Sequence, residues 1–208
     1  LCYYSSMPSK LSQKWMQIIL FVVMSGFLVY RRFDVPIQST VVVVDESGSQ
    51  RRVGDQLRRG QTIETKADEY LLLQIGKEDF IALDERTAIE LNSLSTPKYI
   101  LRFPRGRIFV KNISRIPIEI ETVKTETDVS GGSATLVHYD FKQLLTVASL
   151  EGELRTRLKN ADTYQIISQE NAIDIRETDT LTITESIVNI HEGAGAEFYR
   201  WVENAILQ

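Results

Sequence analysis

Two histidines, His138 and His191, and one cysteine, Cys2, are the only imidazole and thiol groups in the 208 residues. A zinc or other transition-metal site needs several nitrogen, sulfur or oxygen ligands at close spacing. His191-Glu192 is too thin a start for one, so neither a metal nor any other cofactor is expected. His138 reads as a half-exposed strand residue. A lone cysteine excludes an internal disulfide. Gly131-Gly132-Ser133-Ala134 sets a serine beside glycines, but a nucleophile elbow needs glycine on both sides of the serine and a strand-to-helix setting. The segment reads as a turn or bulge instead. Neither GxGxxG nor a phosphate loop occurs. The 28 acidic residues are spread along alternating segments, and no pair stands out as acid and base. No enzyme is legible here.

Positive charge is the more informative chemistry. Arg51-Arg52 and Arg58-Arg59 flank a turn, and Arg102, Arg105, Arg107, Lys111 and Arg115 follow along a later hairpin. Arg51, Arg52, Arg58, Arg59, Arg105 and Arg107 form a candidate patch for an anionic partner, either an envelope polymer or a headgroup. Solvated strand faces and edge protection account for the same residues. Residues 1–36 carry four cations against Asp34, a balance of +3, so the net charge of −4 leaves −7 for the remainder. Such a balance gives no argument for nucleic acid.

The elements that position these residues begin with one apolar run. Trp15–Tyr30 is bounded by Lys14 and Arg31 with no charge between them. As a helix it spans about 24 Å, and its flanks extend it toward the ~30 Å hydrocarbon core. Lys14 and Arg31 can snorkel, and Trp15 and Tyr30 sit where interfacial aromatics belong. The run predicts a single-pass membrane anchor, with a cleaved signal peptide as its rival. Two lysines precede it and two arginines follow, so charge leaves orientation tied. A short tail before a long folded domain favours residues 1–14 in the cytoplasm and the domain outside.

From about Thr40 to Thr184 the chain alternates apolar and polar residues in short segments. Leu154, Thr156 and Leu158 oppose Glu153, Arg155 and Arg157; Ile116, Ile118 and Ile120 oppose Pro117, Glu119 and Glu121. Side chains repeat every two residues along a strand, so each such segment has one buried and one wet face. Turn signals at 8–12-residue spacing predict an all-β sandwich or solenoid rather than βαβ units. Ser47-Gly48 predicts a hairpin between Thr40–Val44 and Gln50–Val53. Gly152 is expected at positive φ in the turn before Glu153–Leu158. Helical spacing returns only at 194–207, where Phe198, Trp201, Val202 and Ala205 recur. That helix is either a cap on the domain or a docking element, with Phe198, Trp201 and Val202 as its contact residues. The predicted organisation is a tail over 1–14, a membrane helix over 15–30, a linker over 31–39, a β domain over 40–190 and the helix.

Val53-Gly54-Asp55-Gln56-Leu57-Arg58-Arg59-Gly60-Gln61-Thr62-Ile63-Glu64-Thr65 resembles the opening phrase of the FecR domain family, "vG..L..G..I.T". Tyr70–Ile75, Gly76-Lys77-Glu78-Asp79 and Phe80–Leu83 match the strand, turn and strand that follow it. Asp84–Leu91 resembles its "l...T.l.l" strand. Leu101–Val110 around Gly106, Ile116–Thr122 and Val147–Leu154 around Gly152 resemble later elements in order, so that the likeness covers about residues 50–175. Gly131-Gly132-Ser133-Ala134-Thr135 departs from the family's "GT.f.v" by lacking the aromatic. FecR-type regulators carry a cytoplasmic anti-sigma segment before the membrane helix, whereas only about 14 residues precede this one. The resemblance implies a membrane-anchored extracytoplasmic domain that binds a protein or an envelope component, not the whole signalling pathway. The layout of one helix and a β-jellyroll-like body also resembles the bridge component of lipopolysaccharide export. In that reading Leu71, Leu73 and Ile75 would line an acyl-chain groove.

Overall fold

The computed structural model of the chain describes residues 39–139, 144–176, 182–187, 189–193 and 195–206. The expected anchor with Lys14, Trp15, Tyr30 and Arg31 lies outside them. Among the described residues no helix is long and apolar enough to cross a membrane. Gln38–Gln208 forms a compact unit of its own.

The strands in chain order are β1 (Val41–Ser47), β2 (Gln56–Leu57), β3 (Thr62–Glu64), β4 (Tyr70–Ile75) and β5 (Asp79–Leu83). Next come β6 (Ala88–Ser95), β7 (Lys98–Asn112), β8 (Ile118–Glu121), β9 (Thr125–Val129) and β10 (Gly132–Tyr139). The last are β11 (Leu144–Glu151), β12 (Leu154–Leu158), β13 (Gln165–Ile167), β14 (Asn171–Arg176) and β15 (Thr182–Ile187), followed by the helix α1 (Ala196–Ile206). They make two sheets. Sheet 1 runs β2-β1-β4-β5-β7-β10-β11-β14-β15, and sheet 2 runs β3-β6-β7-β8-β9-β12-β13. Every pairing is antiparallel except β7 with β8.

β7 belongs to both sheets. Its 15 residues pair with β6 and β8 through their first half, and with β5 and β10 through their second. Tyr99, Leu101 and Phe103 are buried in the first half and Ile108, Val110 and Asn112 in the second, so the alternation slips from odd to even across Pro104-Arg105-Gly106. A strand that turns a corner between packed sheets needs such a slip to keep one side toward the core. Gly106 permits the corner: its φ is +102°, and a Cβ there would lie 2.3 Å from the Thr87 hydroxyl. The core between the sheets is continuous, with Val43, Leu71, Leu73, Ile81, Leu136 and Val147 from sheet 1 meeting Ile63, Leu91, Leu101, Phe103, Ile118 and Leu154 from sheet 2.

Between strands, the chain crosses from one sheet to the other at 58–61, 65–69, 84–87, 113–117, 130–131, 152–153 and 168–170. Backbone polar groups in such crossings must find partners, and buried side chains supply some of them. Asp79 accepts the amides of Ile113 and Ser114 at 2.8 and 2.9 Å, and the Ser114 hydroxyl. Asn112 donates to the carbonyls of Ile116 and Val129.

Several expectations need correction. Gln50–Val53 is a loop rather than a hairpin partner, and β1 pairs instead with β2 and β4. The stretch that carries Arg102, Arg105, Arg107 and Lys111, expected as a hairpin, is the single strand β7. Gly152 has φ +84°, yet β11 and β12 on either side of it lie in different sheets. His138 is not half-exposed but 3% exposed.

Candidate functional site

Two outer faces and one edge offer surfaces to a partner. On the outside of sheet 1, Val44, Leu72, Phe80, Ala82 and Phe109 form an apolar face, and α1 covers it. Phe198 and Val202 are both 1% exposed there, while Trp201 is half-buried with its ring 5.4 Å from that of Tyr70. Of the three candidate docking residues, two are therefore spent on the domain's own sheet. Tyr199 fixes the helix in rotation. The Thr135 hydroxyl donates to the Ile108 carbonyl at 2.9 Å, which leaves it to accept the Tyr199 hydroxyl proton at 2.6 Å.

Beside α1 sits a buried ion pair. Arg107 Nη1 lies 2.7 Å from Asp84 Oδ2, with side-chain exposures of 12% and 9%, and the guanidinium carbon is 5.9 Å from the Tyr199 ring centre. Burial pushes the Asp84 carboxyl above its ordinary range, and the Glu85 amide and Arg107 only partly pull it back. Arg107 thus holds the corner under the helix and does not belong to an open basic patch. Arg105 points out from sheet 2 but lies 3.5 Å from Glu64.

The outer face of sheet 2 is a lattice of cross-strand ion pairs. Lys98 meets Glu119 at 2.5 Å, Arg102 meets Glu90 at 3.4 Å, Arg157 meets Glu126 at 2.6 Å and Lys159 meets Glu121 at 3.7 Å. Burial, and then Glu119 beside it, push the Asp128 carboxyl up within this lattice.

The edge differs from both faces. Arg51, Arg52, Arg58 and Arg59 lie on the segment that passes from β1 to β3, along the side of the two sheets, and none of them forms an ion pair among the described residues. The segment is nonetheless well tied. Gly54 donates to Val43 at 2.8 Å, Arg52 N–H to Asp55 at 2.9 Å, Gly60 to Leu91 at 2.7 Å and Arg59 Nε to Asn92 at 2.8 Å. The six arginines of the sequence-based patch therefore divide into an open group of four and two engaged elsewhere.

Other candidates resolve as parts of the fold. His138 faces the core opposite Gly106, its ring 6.0 Å from Phe103, and its Nδ1 has no hydrogen-bond partner. No group of three metal-ligating side chains occurs among the described residues. Gly131 and Gly132 carry the crossing into β10, where a Cβ on Gly132 would fall 2.0 Å from the Glu151 carbonyl oxygen. Leu71, Leu73 and Ile75 are 0% exposed and fill the core, so they line no open groove. A small cleft of about 130 Å³ lies elsewhere, between Thr156, Leu158, Ala161, Gln165 and Ile175. The sequence could not reveal Asp79, Asn112 or the Asp84–Arg107 pair as structural polar groups, because their partners lie 17 to 35 residues away.

No protein-family model matches the sequence, and no curated protein matches it. Solved structures do. Two crystal structures, each described as of a "putative anti-sigma factor" from Parabacteroides distasonis ATCC 8503, superpose with TM-scores of 0.56 and 0.57 at 14% and 13% identity. Each match covers 68% of this chain and 64% of the other, so this chain accounts for less than two thirds of their length. At that identity the likeness establishes a shared β fold.

Proposed function

We propose that this chain is a membrane-anchored, extracytoplasmic FecR-like β domain that acts as a non-enzymatic interaction module in envelope signalling. The observation that carries this reading is the fold shared with the two chains described as anti-sigma factors. The FecR-like phrases support it from the sequence side. They fall in order on successive elements: Val53–Thr65 on the edge segment and β3, Tyr70–Leu83 on β4 and β5, and Gly106 at the corner of β7. The apolar run Trp15–Tyr30 supports the anchor.

Reporters active only inside or only outside the cytoplasm, fused at the C-terminus, test the placement, and activity of the inside-only reporter overturns it. The binding role is tested by crosslinking the full chain in intact cells, solubilising the membranes and identifying what it captures. Recovery of a sigma-pathway component or an envelope receptor at defined stoichiometry is the expected outcome. Recovery of the chain alone counts against an interaction module.

A further inference from the structure

We infer that Arg51, Arg52, Arg58 and Arg59 form a docking surface for anionic phospholipid headgroups, holding the β domain against the bilayer that anchors it. The clustering of cations without carboxylate partners carries the inference. Eight lysines and arginines elsewhere on the domain each meet a carboxylate. These four do not. Lys66, Lys77, Arg86, Arg115, Arg176 and Arg200 likewise form no ion pair among the described residues. Only here, however, do four such cations fall within nine residues of one segment, in a region 37–208 whose net charge is −7. Within 50–61 the four arginines face a single acid, Asp55, and one of its oxygens accepts the Arg52 amide. Cations kept clear of carboxylates on a well-tied segment present donors to something outside the chain, Arg59 through the terminal nitrogens that its bond to Asn92 leaves over. Arginine forks match phosphate oxygens.

Position selects the occupant. Leu57 pairs directly with Val41, the first residue of β1, so Arg58 and Arg59 sit beside the point where the chain enters the domain. Ser39, just before it, donates to Leu94 on the same side. If the run Trp15–Tyr30 anchors the chain, a linker of nine residues reaches at most about 30 Å. Such a linker keeps the edge at which the chain enters the domain within reach of the headgroups. Val53, between Arg52 and Gly54, is 63% exposed, an apolar tip between two basic pairs that suits the boundary of headgroups and acyl chains. Overall acidity would drive the domain away from an anionic surface, so attachment must come from a local patch.

The proposal rests on the anchor for its choice of ligand, and its test does not use the anchor. Residues 38–208 form a compact unit of their own, so the test uses this fragment once circular dichroism has shown that it is folded. It is sedimented with vesicles of phosphatidylcholine, with or without phosphatidylglycerol. The fragment is expected to bind only the anionic vesicles and to release as salt rises. Each cation near such a surface is worth about fivefold in partitioning. Reversing all four charges (R51E, R52E, R58E and R59E together) should therefore abolish binding, while R102Q leaves it unchanged. Circular dichroism of the reversed variant establishes that it is folded. Equal binding to both vesicle types, or retention by the reversed variant, overturns the proposal. Inorganic phosphate at millimolar concentration separates the two sources of the same chemistry. Release by phosphate at constant ionic strength identifies a free-phosphate site and also overturns it. Failure here leaves the reporter fusions standing, and failure of the reporter fusions leaves the vesicle result standing.

Discussion

The two sheets share a core but treat their outer faces in opposite ways. Sheet 1 carries Val44, Leu72, Phe80 and Phe109 outward and needs α1 to hide them. Sheet 2 carries Lys98, Arg102, Glu119, Glu126 and Arg157 outward, where they satisfy one another across strands and meet water without a covering helix. An apolar outer face gains from burial in proportion to the area removed from water. In a lattice whose cations are partly exposed, the more open pairs, such as Arg102 with Glu90, gain little and lose it in salt. Stability should therefore be concentrated on the helix side, and solubility on the charged side.

The largest expected effect is on α1. Phe198→Ala removes a ring that is 1% exposed and should cost about 3–5 kcal/mol in urea denaturation of residues 38–208. Trp201→Ala, at a half-buried position, should cost less, about 1–2 kcal/mol. A loss below about 0.5 kcal/mol for Phe198 would mean that the helix is not part of the folded unit. Next in size is Asp84→Ala, which takes the carboxylate from a nearly buried guanidinium and should cost about 3 kcal/mol. On the charged face, Arg102→Ala should change stability by less than about 0.5 kcal/mol, since both members of its pair are partly exposed. A loss comparable to that of Asp84→Ala would erase the distinction between the faces.

The smallest effect is a pH dependence. Asp128 has a carboxyl whose value in the fold is raised by burial and by Glu119. Its contribution is thus fully present below the unfolded value and is lost as pH rises through the folded one. Asp128→Asn removes that loss. The variant should gain on its parent between pH 4 and pH 7, as read from denaturation midpoints at the two values. An advantage that shrinks over this interval would mean that Lys98 and Arg157, not burial, dominate the site.

Strands with apolar residues on one face were legible from alternation alone, as at β8 and β12. Legibility failed where the inward residue is polar. β9 points Thr125 and Thr127 to the core, where Thr127 meets Thr156 at 2.9 Å, so its alternation carries no hydropathy signal. His138 was misread for the same reason. At Gly106 the pattern is present but slips by one residue, which in sequence cannot be told from a break between two strands. Of the six candidate arginines, spacing could group Arg51, Arg52, Arg58 and Arg59. It could not foresee that Arg107 turns under a helix 89 residues further along. α1 itself was visible from its 3.6-residue spacing, whereas the face it covers depends on strands that only the fold brings side by side.

The long corner strand β7 has a further consequence, in how the domain opens. Because the same 15 residues are hydrogen-bonded into both sheets, neither sheet can come apart while the other keeps its central strand in place. Cooperative units in proteins follow such shared elements. Amides of Leu101 and Val110, in different sheets, should therefore exchange with solvent through a single global event, whereas β15, bonded to β14 alone among the described strands, can fray without disturbing either. A two-layer domain built this way behaves as one lock rather than two leaves.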